Sequence, residues 1–126
     1  MNAKSFLKYG GIVLVLVAIL GFVGILGPTA DKSIFGATWW FDNVENWAHL
    51  VLGVVALLAY WLVPTGIQKP LVVVVGLVAL LFGLYSLFVG TMAFGANLEN
   101  PADTILHIVV GIWALLSARG SMMAKT

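Results

Sequence analysis

The sequence predicts an all-α integral membrane protein. Its four transmembrane helices form two parallel two-helix repeats, with both termini in the cytoplasm. Three observations predict it. Hydrophobic residues make up 62% of the 126-residue chain and charged residues only 9%. A soluble domain carries about 25% charge and cannot hide so much apolar surface in one small core. Four apolar stretches are each long enough to cross ~30 Å of hydrocarbon at ~1.5 Å per residue. Finally, residues 42–58, DNVENWAHLVLGVVALL, return at a constant offset as residues 100–116, NPADTILHIVVGIWALL.

The single domain, 1–126, divides as follows. Lys4 and Lys8 precede a first span over about 9–26. Its apolar run is longer than the ~7–15 residues of a signal peptide and lacks a small-residue cleavage site, so it reads as a retained span. Gly27-Pro28 stops it. The following loop carries Asp31, Lys32 and the aromatic residues Phe35, Trp39, Trp40 and Phe41. Aromatic residues at a span boundary favour the headgroup layer, so Trp39, Trp40, Phe41 and Trp47 read as an interfacial belt. A second span covers about 43–63 and ends in the turn Pro64-Thr65-Gly66. Lys69-Pro70 then opens a third span over about 70–94. Its Gly76, Gly83 and Gly90 fall on one stripe, where another helix can approach closely. The link 95–99 leads to a fourth span over about 101–118 and a small polar tail.

Charge sets the orientation. Lys4, Lys8, Lys69, Arg119 and Lys125 fall on one side of the four spans, and Asp31, Asp42, Glu45, Glu99, Asp103 and Lys32 on the other. The positive-inside rule makes the first side cytoplasmic, as expected for a multi-pass protein of a cytoplasmic (inner) membrane. Each half of the chain then enters the bilayer the same way, which implies a pseudo-twofold axis along the membrane normal. Short links favour an antiparallel four-helix bundle in which spans two and four face each other.

The repeated motif reads (Asp/Asn)-x-x-(Glu/Asp)-x-x-x-His-x-x-x-Gly, at Asp42, Glu45, His49 and Gly53 and again at Asn100, Asp103, His107 and Gly111. Asp42 and Asn100 read as helix N-caps, each followed three residues later by an acid that returns a bond to the cap amide. Pro101 suits the first helical position. Each histidine, one turn deeper, shares a face with its acid and lies inside the bilayer, where ionisable groups turn toward the bundle or water. Several readings of these groups stand together. Each imidazole is hydrogen-bonded to its acid or a neighbouring helix and holds the bundle. Or His49 and His107 are axial ligands of one haem or other tetrapyrrole. Or Glu45, His49, Asp103 and His107 hold a divalent metal such as zinc, manganese or iron. Proton or quinone chemistry is a further use.

Cysteine is absent, which excludes disulfides, thiolate metal sites and cysteine nucleophiles. A net charge of +1 with scattered basic residues offers nothing to nucleic acid. No nucleophile elbow, zinc-protease helix, phosphate loop or dinucleotide fingerprint occurs. Ser5, Ser33, Ser86, Ser117 and Ser121 carry no sequence sign of an activating base. Tyr60, Tyr85 and Ser86 are too few for an ion pathway.

The motifs N-W-A-H-L-V-L-G at 46–53 and N-P-A-D-T-I-L-H-I-V-V-G at 100–111, with G-F-V-G-I-L-G at 21–27, resemble those of the small four-span bacterial membrane proteins grouped as domain of unknown function 4383. Asn100, Ala102, Asp103, His107 and Gly111 carry its most specific part, and Glu45-Asn46-Trp47 departs from the pattern. The resemblance implies four spans and a His motif, and no reaction. The expected function is therefore a non-enzymatic scaffold or accessory subunit, with the bilayer and a larger membrane complex or further copies of the chain as partners. The alternative is a tetrapyrrole- or metal-binding membrane protein built on the paired histidines.

Overall fold

The structure is a computed structural model that describes residues 2–90, 92–93, 96–98 and 102–123. Four helices dominate it: α1 (Ala3–Phe22), α2 (Asn43–Leu62), α3 (Thr65–Phe88) and α4 (Ala102–Met123). All four are long and apolar enough to cross a membrane. The strand pairing among the described residues is a two-residue ladder, β1 (Met92–Ala93) with β2 (Ala96–Asn97), and an isolated bridge between Leu26 and Ser33.

Caps explain where the helices begin and end. Asn2 accepts the Ser5 amide at 2.8 Å, so α1 starts ahead of the apolar run at Tyr9. Asp42 accepts the Glu45 amide at 2.8 Å while the Glu45 carboxylate accepts the Asp42 amide at 3.3 Å, a complete capping box for α2. The α2–α3 turn is closed by Gln68, 2% exposed, whose Nε2 donates to the Ala59, Tyr60 and Val63 carbonyls at 3.2, 3.4 and 3.1 Å. The Ala59 carbonyl also accepts the Val63 amide at 3.1 Å, whereas the helical partner of the Tyr60 carbonyl would be Pro64, which has no N–H. The same anchor lets α3 begin at Thr65, so Pro70 lies inside the helix and does not open it. Asn100, the expected cap of α4, lies outside the described residues.

Packing follows the small residues. A Cβ on Gly53 would stand 2.9 Å from the Val15 backbone nitrogen, and one on Gly11 would stand 2.9 Å from Leu57. In the second hairpin a Cβ on Gly111 would stand 2.6 Å from Leu80, and one on Gly76 would stand 3.0 Å from Leu115. With no hydrophobic drive between helices in lipid, such close backbone approach supplies the dispersion contact that holds them. Gly83 packs against Ile108 in the same seam, whereas Gly90 lies past the end of α3 in open space. The expected three-glycine stripe therefore reduces to two.

The main packing is α1 on α2 and α3 on α4, and α1 also touches α3 and α4. α1 thus joins the two hairpins, and α2 and α4 do not pack along each other as expected. At the end holding Lys4, Lys8, Lys69 and Arg119, all four helices meet in a core of Ala3, Phe6, Leu7, Ala59, Val72, Ala114 and Ala118. There Phe6 meets Trp113 edge-on at 4.6 Å. Elsewhere the surface is apolar: Phe88, Leu62 and Trp61 are 78%, 76% and 67% exposed. Water would make that surface costly, and lipid tails solvate it.

Candidate functional site

The remaining polar groups of interest gather at the opposite, acidic end. The chain arrives there through the loop 23–42, and backbone pairing shapes that loop. Ile34 donates to the Ile25 carbonyl at 2.8 Å and Phe41 to the Leu26 carbonyl at 2.7 Å. The Ser33 hydroxyl donates to the Trp39 carbonyl at 2.7 Å and accepts the Phe35 amide at 3.2 Å. Gly27 permits the return, because a Cβ there would collide with the Phe41 carbonyl. On the loop's surface, Asp31 is held below the usual carboxylate range, first by a hydrogen bond from the Thr29 side chain and then by its own backbone amide.

This folding turns two aromatic residues inward. Phe41 is 3% exposed and meets the His49 ring edge-on at 5.1 Å. Trp39 packs on Phe41 at 5.2 Å, and its indole Nε1 donates to Asp103 Oδ1 at 3.1 Å. An aromatic wedge thus runs from His49 on α2 to Asp103 on α4, filling the space where those helices were expected to touch. Of the four residues expected in the interfacial belt, Trp47 is 59% exposed and packs edge-on against Phe22. Phe41 does not fit, since the loop pairing buries it. Trp39 and Trp40 are half-buried.

The histidines come into one neighbourhood on different terms. His107 Nδ1 lies 2.7 Å from the Asp103 backbone carbonyl. A carbonyl only accepts, so Nδ1 carries a proton, and in the neutral ring the lone pair is then on Nε2. Phe82 lies against the same ring at 5.8 Å. His49 Nδ1 is enclosed and has no hydrogen-bond partner among the described residues. His107, Asp103 and Asp42 lie near enough to His49 to act on its charge.

No family model, curated protein or solved structure matches this chain. The site must be read from its own geometry.

That geometry keeps the two acids at other tasks. Glu45, 4% exposed, bonds the Asp42 amide, and Asp103, 1% exposed, takes the Trp39 indole. Among the described residues no three His, Asp or Glu side chains come together as a metal site. Glu45, His49, Asp103 and His107 therefore do not form such a group in this structure. The histidine-to-acid bonds differ from expectation too: His107 uses the carbonyl of Asp103 and not its carboxylate.

Two polar contacts were not foreseen from the sequence. Asn46 is fully buried, and neither its Nδ2 nor its Oδ1 has a partner among the described residues. Its amide presses on α1 where Gly21 leaves room: a Cβ on Gly21 would collide with Asn46 Oδ1. In the second hairpin, the Ser86 and Thr104 hydroxyls share a hydrogen bond at 2.6 Å, and Ser86 also donates to the Gly83 carbonyl at 3.0 Å. The signal for both was available. Asn46 and Thr104 occupy the same position in the repeated motif, just inside the acid.

Proposed function

We propose that this chain is a non-enzymatic scaffold or accessory subunit of a larger membrane complex. It would reside in a bacterial cytoplasmic membrane, built from two parallel repeats with both termini cytoplasmic. One observation carries the reading. Glu45 and Asp103 are bonded to the chain's own groups and the His49 ring is packed by Phe41, while most of each helix is an apolar outer face. Segregation of Lys4, Lys8, Lys69 and Arg119 from Asp31, Asp42, Glu45 and Asp103 supports the orientation. The repeat is supported by matched crossings: Gly11 meets Leu57 and Gly53 meets Val15, as Gly76 meets Leu115 and Gly111 meets Leu80. Mild solubilisation of native membrane followed by native electrophoresis should place the chain in an assembly larger than the monomer. A free monomer with nothing copurifying refutes the reading.

A second reading has its own observation. Nδ1–H donation to a carbonyl is how a ligating histidine is commonly fixed, leaving Nε2 for a metal centre, and His107 is fixed in this way. His107 with His49 would then bind a tetrapyrrole. The visible spectrum of gently purified protein tests it. This reading expects a Soret or bacteriochlorin band that disappears in H49A and H107A, and a flat spectrum removes it.

A further inference from the structure

At the basic end, the α1–α2 seam changes character below the Gly11–Gly53 crossing. One and two turns from Gly11 toward the N-terminus stand Lys8 and Lys4, and two turns along α2 from Gly53 stands Tyr60. Lys4 Nζ lies 5.3 Å from the Tyr60 ring centroid, and Lys8 Nζ lies 5.9 Å from the same centroid and 5.4 Å from that of Tyr9. Two ammonium groups are thus held over one ring, at a spacing where like charges repel. Ring faces attract cations without neutralising them.

No acidic side chain among the described residues at this end offsets this charge. The other charged side chains described at this end are Lys69 and Arg119, and neither Lys4 nor Lys8 forms an ion pair among the described residues. The α3–α4 seam differs at the same level. Counted the same way from Gly76 and Gly111, the counterparts of Lys8 and Tyr60 are Val73, which packs against the core as Tyr60 does, and Ala118 within it, while the counterpart of Lys4 is Lys69. The first seam thus holds two ammonium groups over one ring where the second holds a single lysine.

We propose that Lys4, Lys8 and Tyr60 form a binding site for the phosphate of an anionic phospholipid headgroup of the phosphatidylglycerol class. The site lies where α1 and α2 leave the hydrocarbon. Lysine stems lie along apolar surface and deliver the ammonium at headgroup depth, and tyrosine favours the same layer. The phosphate supplies the counter-charge that the described residues at this end lack, and the acyl chains continue along the exposed apolar faces of α1 and α2. Lipid is favoured over a soluble anion because both helices carry those faces directly above the lysines: Ile12 and Leu16 on α1, 40% and 53% exposed, and Val54 and Leu58 on α2, 44% and 48% exposed. The proposal holds whichever leaflet this end faces and does not depend on a partner complex.

The test is native mass spectrometry of the detergent-solubilised full chain, titrated with phosphatidylglycerol or phosphatidylcholine. A juxtamembrane lysine favours an anionic lipid surface by roughly fivefold, so the pair should give a preference of at least tenfold for phosphatidylglycerol. The K4Q/K8Q variant should bring that ratio near one, K4R/K8R should keep it, and K69Q/R119Q, with the same net charge as K4Q/K8Q, should leave it unchanged. Three outcomes overturn the proposal: no preference in the parent chain, equal loss in the two glutamine doubles, or displacement of the lipid by millimolar inorganic phosphate. Helical circular dichroism of each variant confirms that the compared chains are folded.

Discussion

Replacing Gly21 by alanine is expected to destabilise the α1–α2 hairpin by about 3 kcal/mol, the upper part of the range for overpacking a filled interior. The added methyl group would occupy the position of Asn46 Oδ1 and stand 2.6 Å from its Cγ. Asn46 has no room to withdraw, being fully buried against α1. The informative comparison is with Asn46→Ala. An enclosed amide without partners costs about 1–3 kcal/mol in desolvation that no bond returns. Removing it relieves that cost but leaves a small cavity, which opposes the gain. The two effects nearly cancel, so N46A should lie within about 1 kcal/mol of the parent chain. The G21A/N46A double variant should regain most of the loss, because the methyl group then enters the space the amide has left. Unfolding in mixed micelles with increasing sodium dodecyl sulfate, followed by circular dichroism, measures all three. A large loss in N46A that the double variant does not recover would mean that the amide bonds something essential, and the account of this contact would fail.

Four helices were readable because length and apolarity suffice for a span, and lipid leaves the backbone no other open solution. The capping box at Asp42 and Glu45 was readable because it is local, set by a spacing of three residues. Gly76 and Gly83 were readable as packing sites, but the same spacing also selected Gly90, where α3 has ended. Pro70 misled in the opposite direction. Its ring suggested a helix start, while the true start is stabilised by Gln68 capping the preceding helix, a contact with no periodic signature. The site was less readable for a related reason. An aromatic residue near a span boundary can face the headgroups or the protein, and composition is the same in both cases. Which way Phe41 turns depends on its amide pairing with Leu26 across the loop. That pairing is a property of the folded loop and not of any short motif.

The longest-range contact at the site gives the second large effect. Trp39→Phe is expected to lower stability by about 1.5–3 kcal/mol, the usual worth of a hydrogen bond to a charged group, and to loosen the acidic end without disturbing the basic core. Phenylalanine keeps much of the packing on Phe41 but loses the indole donor to Asp103. That bond ties the first loop to α4, at the end where α2 and α4 lack direct packing. With it gone, the wedge should detach more often and admit reagent to the imidazoles. Modification of His49 and His107 by diethyl pyrocarbonate should therefore accelerate several-fold in W39F. W47F serves as the control, since Trp47 faces outward and contacts Phe22. A double-mutant cycle with D103A, which removes the acceptor, isolates the pair from the other bonds Asp103 makes, and a coupling of about 1–2 kcal/mol is expected. If histidine reactivity rises equally in W39F and W47F, loss of any aromatic residue near the headgroups is enough. The closure of this end would then rest on lipid anchoring and not on the indole–carboxylate bond. A rise confined to W39F, with coupling to Asp103, would instead mean that loop 23–42 holds the two hairpins together where their helices do not.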